Sequence, residues 1–324
     1  MDVINDGNMN TKRINKYDTI RLVLIFLVIV GHEMELFLTG GVENLYKIIY
    51  SFHMPAFMYI TGKFARFDKV KVLKRFILPY VVFQILYIGY SNLALGETNA
   101  VQFTTPYWIM WYILVMIFCY VLLLFLPAKG TEYAVPVVLV SFALSIVVGY
   151  DMTVGYYCSL SRCIVFLPFF LWGYYSDSLH LFDKWKNKQL SMYVILALII
   201  ILGELYIIKC DVPIQLLYGS KAYATCGSHA VARFATLVAA AAWIEMLDIT
   251  VPDIPVTLVS KFGTDTMPIY LLHGFVIKLL NRYAVFRFSQ GVNILLSCLI
   301  AIAVIFTFGN TVFVRMYNKV FGYK

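Results

Sequence analysis

The sequence predicts an all-α, polytopic membrane helix bundle of about ten transmembrane helices with both termini in the cytoplasm. Three observations carry this. Of the 324 residues, 61% are apolar and only 14% charged, which leaves too few polar groups to cover a water-facing surface or to sustain a disordered chain. The apolar residues fall into ten stretches, each near the roughly 20 residues needed to cross a bilayer. They run at about 20–38, 44–62, 76–95, 106–126, 133–150, 157–176, 190–208, 227–247, 258–281 and 291–314. Finally, the positive charge is lopsided. With the amino terminus inside, 18 of the 26 Lys and Arg lie in cytoplasmic tails and loops, six on the opposite side, and Arg162 and Arg233 inside apolar runs. The excess of +8 therefore reads as topology, with no nucleic-acid partner. A cytoplasmic tail (1–19), one transmembrane domain (20–314) and a second tail (315–324) are expected, in a multi-pass protein of the cell membrane. The first apolar run lacks a small-residue cleavage site and reads as a retained helix. The six cysteines show no CxxC pair and no zinc-like spacing, so free thiols and no metal are expected.

Titratable groups inside a bilayer are costly and must face the protein interior, a wet cavity or a partner. In the first stretch, DTIRLVLIFLVIVGHEMELF, Arg21 and His32 are eleven residues apart. At about 100° per residue they share a face, with Asp18 within roughly 60° of Arg21. A rise of about 1.5 Å per residue puts His32 roughly 16 Å deeper than Arg21. Glu33 is its sequence neighbour. In the second stretch, SFHMPAFMYITG brings His53 to a similar depth, beside Pro55, which removes a backbone donor and suits a cavity wall.

The segment Lys63 to Arg75, with Lys71 and Lys74, is the most basic loop. An anionic-lipid anchor and a phosphate site are both open for it. Tyr107, Trp108, Trp111 and Tyr112 open the fourth stretch, as an interfacial belt or a sugar-stacking platform. Arg162, early in the sixth, either snorkels or binds an anion. His180 reads as a solvated loop residue, and His229 with Arg233 as a polar pair at the outer interface. The ninth stretch adds His273, after Pro268 in MPIYLLHGF. For His53 and His273, hydrogen bonding between helices is the plain alternative to a catalytic role.

These residues resemble the acyltransferase 3 family of bacterial membrane O-acyltransferases. Arg13, Asp18, Arg21 and His32 fall on that family's first-helix signature, and FHMPAFMYITG, Phe52 to Gly62, is similar to its second-helix element in the form of the fucose 4-O-acetylase-like subgroup. Lys74, Arg75, Pro79 and Tyr80, then Trp108 to Tyr112, Arg162 to Gly173, and GTDTMPIYLLH ending at His273 resemble further elements in the family's order. Leu22 stands where Gly is usual, and Asp265 with Thr266 replaces an Asn-Ser pair. The resemblance implies transfer of an acetyl or other acyl group from cytoplasmic acyl-coenzyme A to a sugar hydroxyl of a surface or extracellular polysaccharide or its lipid-linked precursor.

Acetyl-coenzyme A is then the co-substrate. The glycan acceptor and the bilayer are the other partners, with a second copy of the chain a further candidate. An imidazole is suited to taking a hydroxyl proton near neutrality, so His32 is the expected base, with His53 and Glu33 beside it. Arg21, Lys71, Lys74 and Arg75 are expected at the coenzyme phosphates. Arg162, His273, Tyr270, Trp108 and Trp111 are expected at the acceptor, and Asp18 and Arg13 as supports. The competing class is a transporter or flippase, in which the same polar stripe lines a pathway.

Overall fold

The computed structural model describes residues 15–179, 190–254, 262–263 and 266–322. Arg13, His180 and Asp265 lie outside the described residues. Among these residues all the regular structure is helical, with no strand. The main elements are α1 (Asn15–Met34), α2 (Gly41–Lys63), α3 (Lys69–Ala94), α4 (Trp108–Leu122), α5 (Ala134–Tyr150), α6 (Tyr157–Tyr174), α7 (Leu190–Lys209), α8 (Ala230–Thr250), α9 (Met267–Arg282), α10 (Gln290–Phe308) and α11 (Thr311–Phe321).

Five of these, α3, α6, α7, α8 and α10, are long and apolar enough to cross a membrane. The remaining expected spans fall short for physical reasons. Helix α1 carries Asp18, Arg21, His32 and Glu33, α2 carries Glu43, Lys47, His53 and Lys63, α9 is 16 residues long, and α4 and α5 are shorter apolar helices. Helix boundaries shift as well. Helix α1 stops at Met34 and turns through Glu35, and the stretch expected to run to 314 breaks at Gly309. Asn310 then caps α11 with its side chain, accepting from the amides of Val312 and Phe313. That last helix is amphipathic, with Val312, Met316 and Val320 exposed along one side.

Helix α2 is the axis of the bundle, packed on α1, α6 and α8, while α1 also packs on α10. Contact between α2 and α6 is backbone to backbone: Gly62 abuts the Phe170 carbonyl and Gly173 the Tyr59 carbonyl. Small residues permit such an approach, and in lipid, where apolar burial between helices brings little, close packing supplies the attraction. Beyond the contact, the Lys63 ammonium donates to Ser176 (2.8 Å) and pairs with Asp177 (3.3 Å), so both helices finish at the same end. All six cysteines are free.

Candidate active site

Two cavities meet inside the bundle. One, of about 780 Å³ with its mouth, lies at the Arg21 end of α1 and is lined by Arg21, Lys71 and Arg75 together with Thr61, Tyr112 and Tyr120. The other, of about 990 Å³, lies at the His32 end and is lined by His32, Glu35, His53, Trp108, Trp111 and Arg162 among others. Val28, Met54 and Tyr270 line both and form the wall between them.

At the first cavity, Asp18 is buried and holds Arg21 Nη1 at 3.2 Å, which aims the guanidinium and balances its charge. The guanidinium also lies 5.0 Å over the Phe64 ring, and Lys71 Nζ 5.5 Å from the Tyr120 ring. Lys71 and Arg75, on either side of the start of a π-helical turn, both face this cavity. Lys74 does not join them. Its ammonium donates to the Gly322 carbonyl at the end of α11 (2.9 Å), closing a helix terminus that needs a donor.

At the second cavity, His32 Nδ1 lies 2.9 Å from Glu35 Oε1. A carboxylate only accepts, so Nδ1 carries the proton and Nε2 the lone pair. The Tyr46 and Tyr50 hydroxyls donate to the same Glu35 oxygen at 3.1 and 2.9 Å. Glu35 thus orients the imidazole and stands ready to stabilise its protonated form. Glu33, next to His32 in sequence, is fully buried outside both cavities, beside Ser297 of α10, and neither carboxylate oxygen has a hydrogen-bond partner. Sequence reasoning missed Glu35, which stands one residue past the end of α1.

The other imidazoles are tied to backbone. His53 Nδ1 is 2.7 Å from the Ile49 carbonyl, and His273 Nδ1 is 2.6 Å from that of Tyr270. Both therefore carry a lone pair on Nε2 when neutral. His53 lines the cavity. His273 is fully buried behind His32, its ring stacked at 5.7 Å, with Nε2 unpartnered. Tyr270 donates to the Ile109 carbonyl, which fixes its ring at the wall between the cavities. The expected outer pair does not form: His229 caps α8, accepting from the Ala232 amide (3.2 Å), while buried Arg233 donates to the Leu216 carbonyl (2.7 Å).

The aromatic side is positioned by a strap, residues 96–107. Gln84 of α3 donates to the Gln102 and Thr105 carbonyls and accepts from the Tyr107 amide, and Tyr80 donates to the Phe103 carbonyl. Glu97 anchors the strap's start. Hydrogen bonds from Ser91 and Asn99 hold its carboxyl below the ordinary glutamate range, with Lys278 adding attraction. Lys278 in turn lies over the Tyr107 and Trp108 rings. Trp108 has φ +36°, and Cys158 and Ser159 have +49° and +51°. Such backbone costs on the order of 1–3 kcal/mol per residue, and it clusters where α4 and α6 enter the second cavity. Trp108 lies 4.9 Å from the His32 ring, and Arg162 sits over Trp111 (4.8 Å) and Tyr156 (5.4 Å).

The site thus pairs a chamber lined by three cationic side chains with one holding an oriented imidazole. Comparison with curated proteins and with solved structures gives no significant match. The acyltransferase domain of the acyltransferase 3 family matches residues 14–310, nearly the whole helical region. Helix composition and that match agree on a multi-pass membrane acyltransferase. The chain belongs to the acyltransferase 3 family.

Proposed function

We propose that the chain is an acetyl-coenzyme A-dependent O-acetyltransferase of the cell membrane. Its acceptor is a sugar hydroxyl of a surface or extracellular polysaccharide or of a lipid-linked precursor. The observation that carries this is the meeting of the two cavities at Val28, Met54 and Tyr270, with cations at one end and the His32–Glu35 pair at the other. Ten bilayer crossings with both termini cytoplasmic complete the reading, so the Arg21 end opens to the cytosol. It is supported by the excess of Lys and Arg at that end.

Arg21, Lys71 and Arg75 bind the coenzyme phosphates, Arg by its planar fork and Lys as a point charge. The pantetheine arm passes the wall toward His32, roughly 16 Å further along α1 by helical rise. His32 Nε2 takes the proton of the acceptor hydroxyl as its oxygen bonds to the thioester carbonyl carbon. Glu35 stabilises the imidazolium that forms. The carbon–sulfur bond then breaks, and the Nε2 proton goes to the departing thiolate. With Nδ1 bound to carbonyls, His53 and His273 have no N–H left to offer a developing oxyanion. The cavity-lining His53 Nε2 instead accepts from the acceptor's hydroxyls.

Purified chain in sealed lipid vesicles, given labelled acetyl-coenzyme A and glycan, is expected to place label on the glycan. Passage of unmodified glycan without coenzyme A would favour the transporter instead. Glu35→Gln is expected to lower transfer about 10²-fold or more, because the imidazole loses its charge partner. Glu33→Gln, outside both cavities, is expected to lower it by less than about tenfold. The reverse ranking would move the supporting role to Glu33.

A further inference from the structure

Arg162 is a cation inside the second cavity without a countercharge. Among the described residues no carboxylate lies within ion-pair distance of it, and its Nε is buried without a hydrogen-bond partner. Glu35, the carboxylate lining the same cavity, is taken up by His32, Tyr46 and Tyr50. Other groups facing the space from the packed helices are neutral: the Tyr218 hydroxyl pairs with Tyr46 (2.5 Å), and Tyr50 with Glu35. Arg233, the second arginine within an apolar run, differs in lying outside this cavity, with Nη1 donating to the Leu216 carbonyl.

The surroundings of Arg162 are built rather than incidental. Tyr156 is held by Ser220, which donates to its hydroxyl at 3.3 Å, and the left-handed residues Cys158 and Ser159 turn the chain just before Arg162. Aromatic faces at 4.8 and 5.4 Å hold a guanidinium by its faces and leave its N–H edge to bind. That edge matches the two oxygens of a carboxylate or phosphate. A buried charge without a partner is costly, and an anion brought in by a ligand removes the cost.

We propose that Arg162 is the anion subsite of the acceptor. The acceptor then carries a carboxylate or a phosphate beside its reacting hydroxyl, as an acidic sugar or a glycosyl phosphate does. This rests on the transferase reading and narrows its substrate class. Anion and hydroxyl bind in one chamber, so Arg162 fixes which hydroxyl faces His32 Nε2.

The test is an equilibrium titration of the full chain in lipid nanodiscs, read by quenching of tryptophan emission, since Trp108 and Trp111 line the cavity. Three probes are used: methyl β-glucuronide, glucose 1-phosphate and neutral methyl β-glucoside. At least one anionic probe is expected to bind tenfold or more tighter than the neutral one. The stronger of the two tells a sugar carboxylate from a phosphate. Arg162→Met is expected to abolish the preference, and Arg162→Lys to keep part of it. Equal binding of all three probes, binding of none, or a preference that survives Arg162→Met overturns the proposal; the first two need no variant to fold. In transfer assays, Arg162→Met is expected to raise KM for the anionic acceptor more than it lowers kcat. A fall in kcat at unchanged KM would assign Arg162 to the reaction's oxyanion and overturn the subsite. Anion-selective quenching without acetyl transfer to any acceptor would retire the transferase reading and leave the subsite standing.

Discussion

His32→Ala is expected to lower acetyl transfer by about 10²–10⁴-fold, the usual contribution of a positioned general base. The loss follows from geometry. Glu35 fixes the proton on Nδ1, so Nε2 is the basic atom, and the ring stands 4.9 Å from Trp108 at the cavity wall. Neighbouring imidazoles do not replace it: His273 is buried behind it, and His53 has on Nδ1 the neutral Ile49 carbonyl, which gives a protonated ring no countercharge. Without the ring, Glu35 keeps its bonds from Tyr46 and Tyr50, so the chamber stays assembled. Turnover of labelled acetyl-coenzyme A, with gel filtration and thermal unfolding of the same sample, checks both halves. A well-folded variant working within a few-fold of wild type would remove His32 from the chemistry.

The largest structural effect is expected at Gly173 and Gly62. A Cβ on Gly173 would fall inside 3.0 Å of the Tyr59 carbonyl and the Lys63 amide nitrogen, and one on Gly62 inside 3.0 Å of the Phe170 carbonyl. Both obstacles are backbone, so no rotamer change relieves them and α2 must move off α6. Over-packing of this kind costs about 1–3 kcal/mol or more. Because α2 carries Met54 and His53 and α6 carries Arg162, both cavities would change shape. Gly173→Ala and Gly62→Ala are expected to lower the unfolding temperature in detergent and to reduce transfer. Gly89→Ala is the control: a Cβ there meets nothing within 4 Å. It is expected to be neutral or to stabilise by roughly 0.5–1 kcal/mol, as alanine does in a helix. Equal behaviour of all three variants would mean that the close α2–α6 contact is absent.

The Arg21–His32 face was legible because both residues sit on one uninterrupted apolar helix, where spacing alone sets direction and depth. Glu35 was not, because α1 ends at Met34 and the turn that follows brings its carboxylate back to Nδ1. Lys74 sits among basic neighbours in sequence, but its partner, Gly322, is 248 residues away. A π-helical turn over Leu73–Ile77 also rotates that face. The strap that places Trp108 depends on Gln84, whose three backbone partners lie in a loop without periodicity. Apolar runs show where helices are, whereas side chains that reach across the bundle leave no local mark. The break at Gly309 did leave one, Asn310 as a cap, hidden within a run of apolar residues.

The most direct test of the two-chamber account is an experimental structure of the full chain in lipid with coenzyme A bound. The phosphates are expected on Arg21, Lys71 and Arg75, and the sulfur past Val28 and Met54, facing His32 Nε2. Phosphates seated on Arg162, or a sulfur stopped on the Arg21 side of Tyr270 with no way through, would contradict it.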